Sequence, residues 1–284
     1  MNEVFAPAKL TLSLHVEGVR DDGYHELDAL AVALDDPHDT LTVVDATRGV
    51  SIEVRGPAAG GVPATDANLA VLAARRVLDE VGAPRGVAIA LWKEIPAGAG
   101  LGGGSSDAAG VLRTLGRAYG VPDVRLVELA GHLGSDVPAC LAGGSVRMRG
   151  RGERLEPVEL AGILRVVVVV PPFGCPTPAV YRAWDELGGP RTGRVVPAPL
   201  PVAGLLDELR NDLEPAAEHV EPRLRAFRED VEAIAGRPVL MAGSGSAYAI
   251  CVDDEPDRWR ELPARLADRL GVRAWAGATL PRVL

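Results

Sequence analysis

Cysteine is scarce: Cys140, Cys175 and Cys251 are the three in 284 residues, widely scattered and without a CxxC pair. That pattern argues against a disulfide framework or a zinc site and fits reduced thiols in the cytoplasm. The five histidines, His15, His25, His38, His132 and His219, lack ligand spacing, so a metal held by protein alone is not expected. Long apolar runs are missing as well; Leu164 to Val170 is far too short to cross a bilayer. Met1 to Pro7 has no basic start leading into an apolar run, so no signal peptide is expected. Positive charge is outweighed, with 30 Lys and Arg against 39 Asp and Glu and a net charge of -9. Long-range attraction to nucleic acid or an anionic membrane is therefore not expected, and an anionic ligand needs a locally organised site. The remaining composition, 47% hydrophobic and 24% charged, is that of a globular protein with a substantial core. It leaves the oligomeric state open.

Periodicity predicts an α+β protein. Leu10, Leu12, Leu14 and Val16 alternate with Lys9, Thr11, Ser13 and His15, the pattern of a strand with one face inward. Four polar side chains then share the other face, where a solvated sheet surface is the plainer reading and a site lining the alternative. Asp21-Asp22-Gly23 predicts a turn that presents Tyr24 and His25. Short strands are expected at Thr40 to Asp45 and Val50 to Arg55. A helix is expected from Asp66 to Val81, capped by Thr65 or Asp66 and stopped by Gly82, followed by a strand from Val87 to Trp92. Further strands are expected at Ser145 to Met148, Arg165 to Val170 (a central one), Val239 to Met241, Ala247 to Val252 and Val272 to Ala276. Helical patterns cover Thr177 to Leu187, Val202 to Ala235 with interruptions at Pro215 and Pro222, and Pro256 to Leu270. Gly188 to Pro201 reads as a long loop. This order suggests a first domain at residues 1–155 and a second at 156–284.

Between Trp92 and a helix expected from Asp107 to Ala118 lies the run Pro96-Ala97-Gly98-Ala99-Gly100-Leu101-Gly102-Gly103-Gly104-Ser105-Ser106. Its glycines leave the backbone bare and free to turn left-handed, so successive N–H groups can converge on one point. Ser105, Ser106 and Asp107 are expected to open the helix, whose N-terminus adds unpaired donors and partial positive charge. Together these make a site for a polyanion such as triphosphate. No lysine followed by Ser or Thr closes the run, which excludes a P-loop. Gly98, Gly100 and Gly103 match GxGxxG, a weak signal by itself. A Rossmann unit would continue into a second strand ending in an acidic residue, whereas Ala118 to Asp123 turns into another helix.

The segment Pro96 to Ala109 resembles the second sequence motif of the GHMP kinase superfamily. Its three glycines followed by Ser-Ser-Asp are similar to the 4-diphosphocytidyl-2-C-methyl-D-erythritol kinase family within it. Other segments stand in that family's order: Ala6 to Leu10, Asp22 to Leu27, Leu133 to Pro138, Gly150 to Glu153, Pro176 to Pro178, Asn211 to Glu214 and Met241 to Gly245. The resemblance implies an α+β, two-domain GHMP kinase fold with the active site in the inter-domain cleft. It implies ATP-dependent phosphorylation of the 2-hydroxyl of 4-diphosphocytidyl-2-C-methyl-D-erythritol, in the non-mevalonate route to isoprenoids. Lys9 and Asp136 would be the catalytic pair, and Pro96 to Ser106 would wrap the ATP phosphates. Tyr24 and His25 would hold the cytosine, with Tyr181 on its other face, and Thr11 would contact substrate. Mg2+ is expected to accompany ATP. Two positions depart from the family: Thr11 stands where asparagine is usual, and Ala242 where serine is commoner.

The chemistry suits these roles. A hydroxyl attacking the γ-phosphorus must lose its proton, so a carboxylate at Asp136 can serve as general base. Lys9 can favour the ionised carboxylate, acidify the hydroxyl and offset charge on the transferred group. Taken without the resemblance, Asp136 is equally an N-cap over Val137 to Leu141, and Tyr24 and His25 are equally hairpin packing. Two other functions remain open: a GHMP kinase with a different alcohol acceptor, and a catalytically inactive ligand sensor on the same fold. Lys9, Asp136 and the loop glycines, which a sensor could lose, are all present.

Overall fold

The computed structural model describes residues 3–189, 200–201, 209–252 and 256–281. The chain forms two compact units, each assembled from separated segments. The first takes the chain up to Lys9, then His38–Ala97 and Gly102–Ala142; the second takes Leu10–Pro37, Gly98–Leu101 and the chain from Gly143 onward. Strand β1 (Glu3–Val19) and strand β2 (His25–Ala46) therefore each contribute to both.

In the first unit, β4 (Gly86–Trp92) lies between the later part of β2 and β3 (Val50–Arg55). It is antiparallel to β2, with Thr40 opposite Trp92, and parallel to β3, with Val50 opposite Val87. Helices α1 (Leu69–Val81), α2 (Gly103–Tyr119), α3 (Asp123–Gly131) and α4 (Val137–Ala142) follow. Leu41, Ile89 and Leu91 from the strands meet Val77, Leu112, Leu126 and Leu141 from the helices in one core. Burial of that apolar surface is what these elements gain by packing.

Two helix starts differ from the sequence pattern. α1 begins at Leu69 because Asn68, held extended at φ -70° and ψ 130°, accepts a hydrogen bond from the Ala70 N–H at 2.9 Å. Asp66 pairs with Arg75 instead, and Gly82 ends the helix left-handed as predicted. α2 begins at Gly103, four residues ahead of Asp107, because Gly102 turns left-handed (φ 65°) and admits the helix inside the glycine run. The first-turn donors are consequently those of the glycines and Ser105, a correction to the expected start.

In the second unit, β1 pairs in parallel with β10 (Arg210–Asn211), Ser13 opposite Arg210. The early part of β2 is antiparallel to β5 (Ser145–Gly150), which pairs with β6 (Arg154–Pro157). Short β7 (Leu160–Ala161) pairs with β9 (Leu200–Pro201). A separate sheet runs in the order β11 (Leu240–Met241), β12 (Tyr248–Cys251), β8 (Arg165–Val170), β13 (Arg273–Ala278). β8 is an inner strand, as expected, with Val166 to Val169 wholly buried. Among the described residues, the helices are α5 (Thr177–Glu186), α6 (Glu214–Val220), α7 (Arg223–Ala235) and α8 (Pro256–Leu270). Pro215 does not interrupt a helix; it sits in the first turn of α6, where the missing N–H costs nothing. Most of the predicted loop Gly188 to Pro201, and the start of the helical stretch from Val202, lie outside the described residues.

The cap can be tested. Asn68→Ala should lower stability by about 1 kcal/mol and Thr65→Ala by less than about 0.5 kcal/mol in urea unfolding, because only Asn68 satisfies a first-turn donor of α1.

Candidate active site

The polar face of β1 is buried: Lys9, Thr11, Ser13 and His15 are only 3 to 8% exposed. A solvated sheet surface is thereby excluded. Lys9 donates into an ion pair with Asp136 at 3.0 Å. The lysine side chain is 10% exposed and the aspartate side chain 34%, so the carboxylate is the partner open to a ligand. Asp136 stands in the turn ahead of α4, where its own carbonyl accepts the Cys140 N–H and its carboxylate goes to Lys9. The glycine run presses on the lysine stem. A Cβ at Gly102 would stand 3.2 Å from Lys9 Cβ and 3.3 Å from Cε. Beside them, burial pushes the Cys140 thiol up to about 12, with Asp136 adding to the effect and Lys9 opposing it. This cysteine stays protonated and is no nucleophile.

Helix α2 opens on Gly103, and its first backbone bond runs from Ser106 N–H to the Gly102 carbonyl at 2.8 Å. The N–H groups of Gly103, Gly104 and Ser105 are thus gathered at the open end of a 17-residue helix. Of the run expected to wrap phosphate, Ala97, Gly98 and Gly104 are exposed, Pro96, Gly100, Gly102 and Ser105 partly buried, and Ala99, Leu101, Gly103 and Ser106 buried.

The middle of the run, Gly98–Leu101, belongs to the second unit and is held there by a second glycine turn. Ala247 N–H donates to the Ala99 carbonyl at 3.0 Å. Gly100 adopts φ 79°, and a Cβ there would stand 2.1 Å from the Ala242 carbonyl oxygen. Ala242 itself is wholly buried and meets the loop through its backbone, so the serine usual at this position would place its hydroxyl inside the protein. Asn211 clamps this turn by donating from Nδ2 to the carbonyls of Met241 (2.8 Å) and Gly243 (2.6 Å) while its Oδ1 accepts from Leu213. Glu214 accepts from Met241 N–H at 3.3 Å, and burial pushes its carboxyl up to about 7.

At the hairpin before β2, Tyr24 and His25 part company. Tyr24 is 55% exposed, with the Arg151 guanidinium 4.5 Å above its ring. Glu153 holds that segment by accepting the Arg151 N–H at 2.5 Å. His25 packs 4.6 Å from the Tyr181 ring and 5.6 Å from Trp184, edge to face with the latter. Its Nε2 is 2.9 Å from Asp185 Oδ1. With the carboxylate accepting that N–H, Nδ1 of the neutral ring is left as an acceptor. Tyr181, Trp184 and Asp185 fall at i, i+3 and i+4 on α5, one face of one helix. The sequence reading named Tyr181 and missed the other two, although that spacing was available. It also missed the Asn211 clamp and a buried group of Lys93, Asp39 and Asp107 beneath α2.

Gly100→Ala should cost about 1–3 kcal/mol, because left-handed strain and a backbone clash add. Gly98→Ala, also left-handed at φ 71° but with open space around the added atom, should carry the strain without the clash and cost less in thermal unfolding.

The "GHMP kinases N terminal domain" family model matches residues 68–144. A 4-diphosphocytidyl-2-C-methyl-D-erythritol kinase of Granulibacter bethesdensis is 38% identical over 283 residues, covering 96% of this chain and 92% of its own. One from Thermus thermophilus is 41% identical over 284 residues, with 97% and 95% covered. A crystal structure of 4-(cytidine 5'-diphospho)-2C-methyl-D-erythritol kinase superposes with a TM-score of 0.81 at 40% identity, covering 98% of both chains. Similarity at this level extends over nearly the whole length and shares the α+β GHMP fold, and the chain belongs to the 4-diphosphocytidyl-2-C-methyl-D-erythritol kinase family of ATP-dependent GHMP kinases.

Proposed function

We propose that the chain transfers the γ-phosphoryl group of ATP to the 2-hydroxyl of 4-diphosphocytidyl-2-C-methyl-D-erythritol. The observation that carries this reading is the Lys9–Asp136 pair lying against the glycine run that opens α2. Asp136 takes the hydroxyl proton as the new oxygen–phosphorus bond forms and the bond to the bridging β–γ oxygen breaks, releasing ADP. Lys9 orients the carboxylate and offsets charge on the group in flight. Pro96 to Ser106 hold the polyphosphate through backbone donors, the arrangement open to a protein of net charge -9. Magnesium, if bound with the nucleotide, would supply neutralisation of phosphate charge.

Tyr24, His25 and Tyr181 hold the cytosine, and Thr11 lines the site from β1. With Nε2 engaged by Asp185, His25 Nδ1 is an acceptor that matches the amino group of cytosine and opposes the carbonyl of uracil. The three free, buried cysteines suit a cytoplasmic enzyme whose thiols stay reduced.

Asp136→Ala should reduce kcat by about 10²-fold or more while ATP affinity changes only a few-fold. Near-normal turnover would remove Asp136 as the base. Tyr24→Ala should raise KM for the cytidyl substrate about tenfold and leave KM for ATP nearly unchanged; equal losses for both would assign the ring to folding.

A further inference from the structure

The chain has only two lysines, and the second, Lys93, is the more deeply buried. It meets Asp39 and Asp107 inside the first unit, the three residues being 1%, 0% and 2% exposed. Lys93 Nζ donates to Asp107 Oδ2 at 2.8 Å and to Asp39 Oδ2. Asp39 Oδ1 also accepts the backbone N–H groups of Glu94 (2.6 Å) and Ile95 (2.9 Å). The group joins β2, the segment just after β4 and the first turns of α2. Gly103, the first residue of α2, rests on it closely: a Cβ there would stand 2.8 Å from Lys93 Nζ and 2.9 Å from Ile95 Cγ2.

One side of this group is unfinished. Asp107 Oδ1 and the neighbouring Ser106 Oγ are buried without a hydrogen-bond partner. With all three residues ionised, two carboxylates face one ammonium, and an uncompensated negative charge lies just beneath the helix end assigned to polyphosphate. An unpaired buried charge is costly, and a second anion nearby raises that cost. A proton on Asp107 relieves both.

Burial pushes the Asp107 carboxyl up to about 7, with Lys93 opposing and Asp39 adding to the rise. Burial would lower the Lys93 ammonium, but Asp107 and Asp39 outweigh it and hold it above its ordinary value. The other groups around this end of α2 are Lys9 on β1, Asp136 before α4, Cys140 on α4 and Arg113 farther along α2; Asp136 and Asp107 raise the Cys140 thiol, and Lys9 and Arg113 oppose them. α1 turns Ala70, Ala73 and Ala74 inward and adds no charge from those positions.

We propose that Lys93, Asp39 and Asp107 form a positioning cluster for the phosphate-binding turn, and that Asp107 takes up a proton when nucleotide polyphosphate binds above it. The inference rests on the assignment of the glycine run to ATP. It has a consequence for stability as well. A carboxyl raised in the folded state stabilises most below the ordinary carboxylate range, and that contribution is lost as pH rises towards about 7. Asp107→Asn should flatten this dependence.

The deciding experiment is calorimetric titration of ATP, with saturating Mg2+, into the protein at pH 7 in two buffers of different ionisation enthalpy. A carboxyl raised towards neutrality is partly ionised at pH 7, and the wild type should take up a fraction of a proton per site on binding ATP. Asp107→Asn should bind ATP within several-fold and lose the uptake. The wild type at pH 9 should lose most of it too, which keeps the test decisive if the variant does not fold. Buffer-independent heat at pH 7, or uptake that persists in Asp107→Asn, overturns the inference. No ATP binding by the folded wild type overturns the ATP assignment, and this inference with it.

Discussion

A lysine ammonium almost sealed from water needs an opposite charge, and the Lys9–Asp136 pair supplies one at 3.0 Å. Much of the first unit is arranged around that requirement. β1 brings Lys9 in on a buried polar face, and the turn before α4 brings the carboxylate. Gly102 lets the start of α2 lie on the lysine stem, so backbone donors, ammonium and carboxylate share one neighbourhood. Both lysines of the chain are inside this unit, and neither is a surface charge. In the proposed reading, polyphosphate meets the Lys9 ammonium and backbone N–H groups, whose strength comes from low local dielectric and fixed direction.

The second unit follows a parallel logic with different materials. A glycine turn at 242–247 holds Gly98–Leu101, and Asn211 in turn holds that turn by hydrogen bonds to two carbonyls. Asp212, next to it, accepts the Val16 N–H at 3.0 Å and so ties the same segment to β1. The Asn211-to-Glu214 motif is thus a set of side chains that complete backbone hydrogen bonding around a glycine turn. His25 is likewise fixed by its neighbours, with Asp185 directing one ring nitrogen and Tyr181 and Trp184 confining the ring.

Most strands and helices were legible because their signals are local. Gly82, the alternation from Lys9 to Val16 and the β-branched run Val166 to Val170 each act within a few residues. The start of α2 was not legible: five glycines speak against a helix, and only the left-handed Gly102 with the packing beneath Gly103 shows where it begins. The polar face of β1 was ambiguous for the same reason, since alternation gives faces but not what covers them. Lys9, Asp136 and the loop emerged from resemblance combined with chemistry. Asp39, Lys93 and Asp107 are 54 and 14 residues apart along the chain, and no local pattern joins them. Trp184 and Asp185 were the missed residues with a readable signal, three and four positions beyond Tyr181 on the same helix.

The most direct measurement is ATP-dependent phosphate transfer by the purified protein to 4-diphosphocytidyl-2-C-methyl-D-erythritol, beside the same alcohol without its cytidyl group. Efficient transfer to the full substrate and little or none to the truncated one is the result expected if, as proposed, the loop and ion pair carry the reaction and the His25 group sets the choice of substrate. Binding of ATP by a folded protein with no transfer to the cytidyl substrate would contradict the proposed acceptor, and equal transfer to both would contradict the cytosine site.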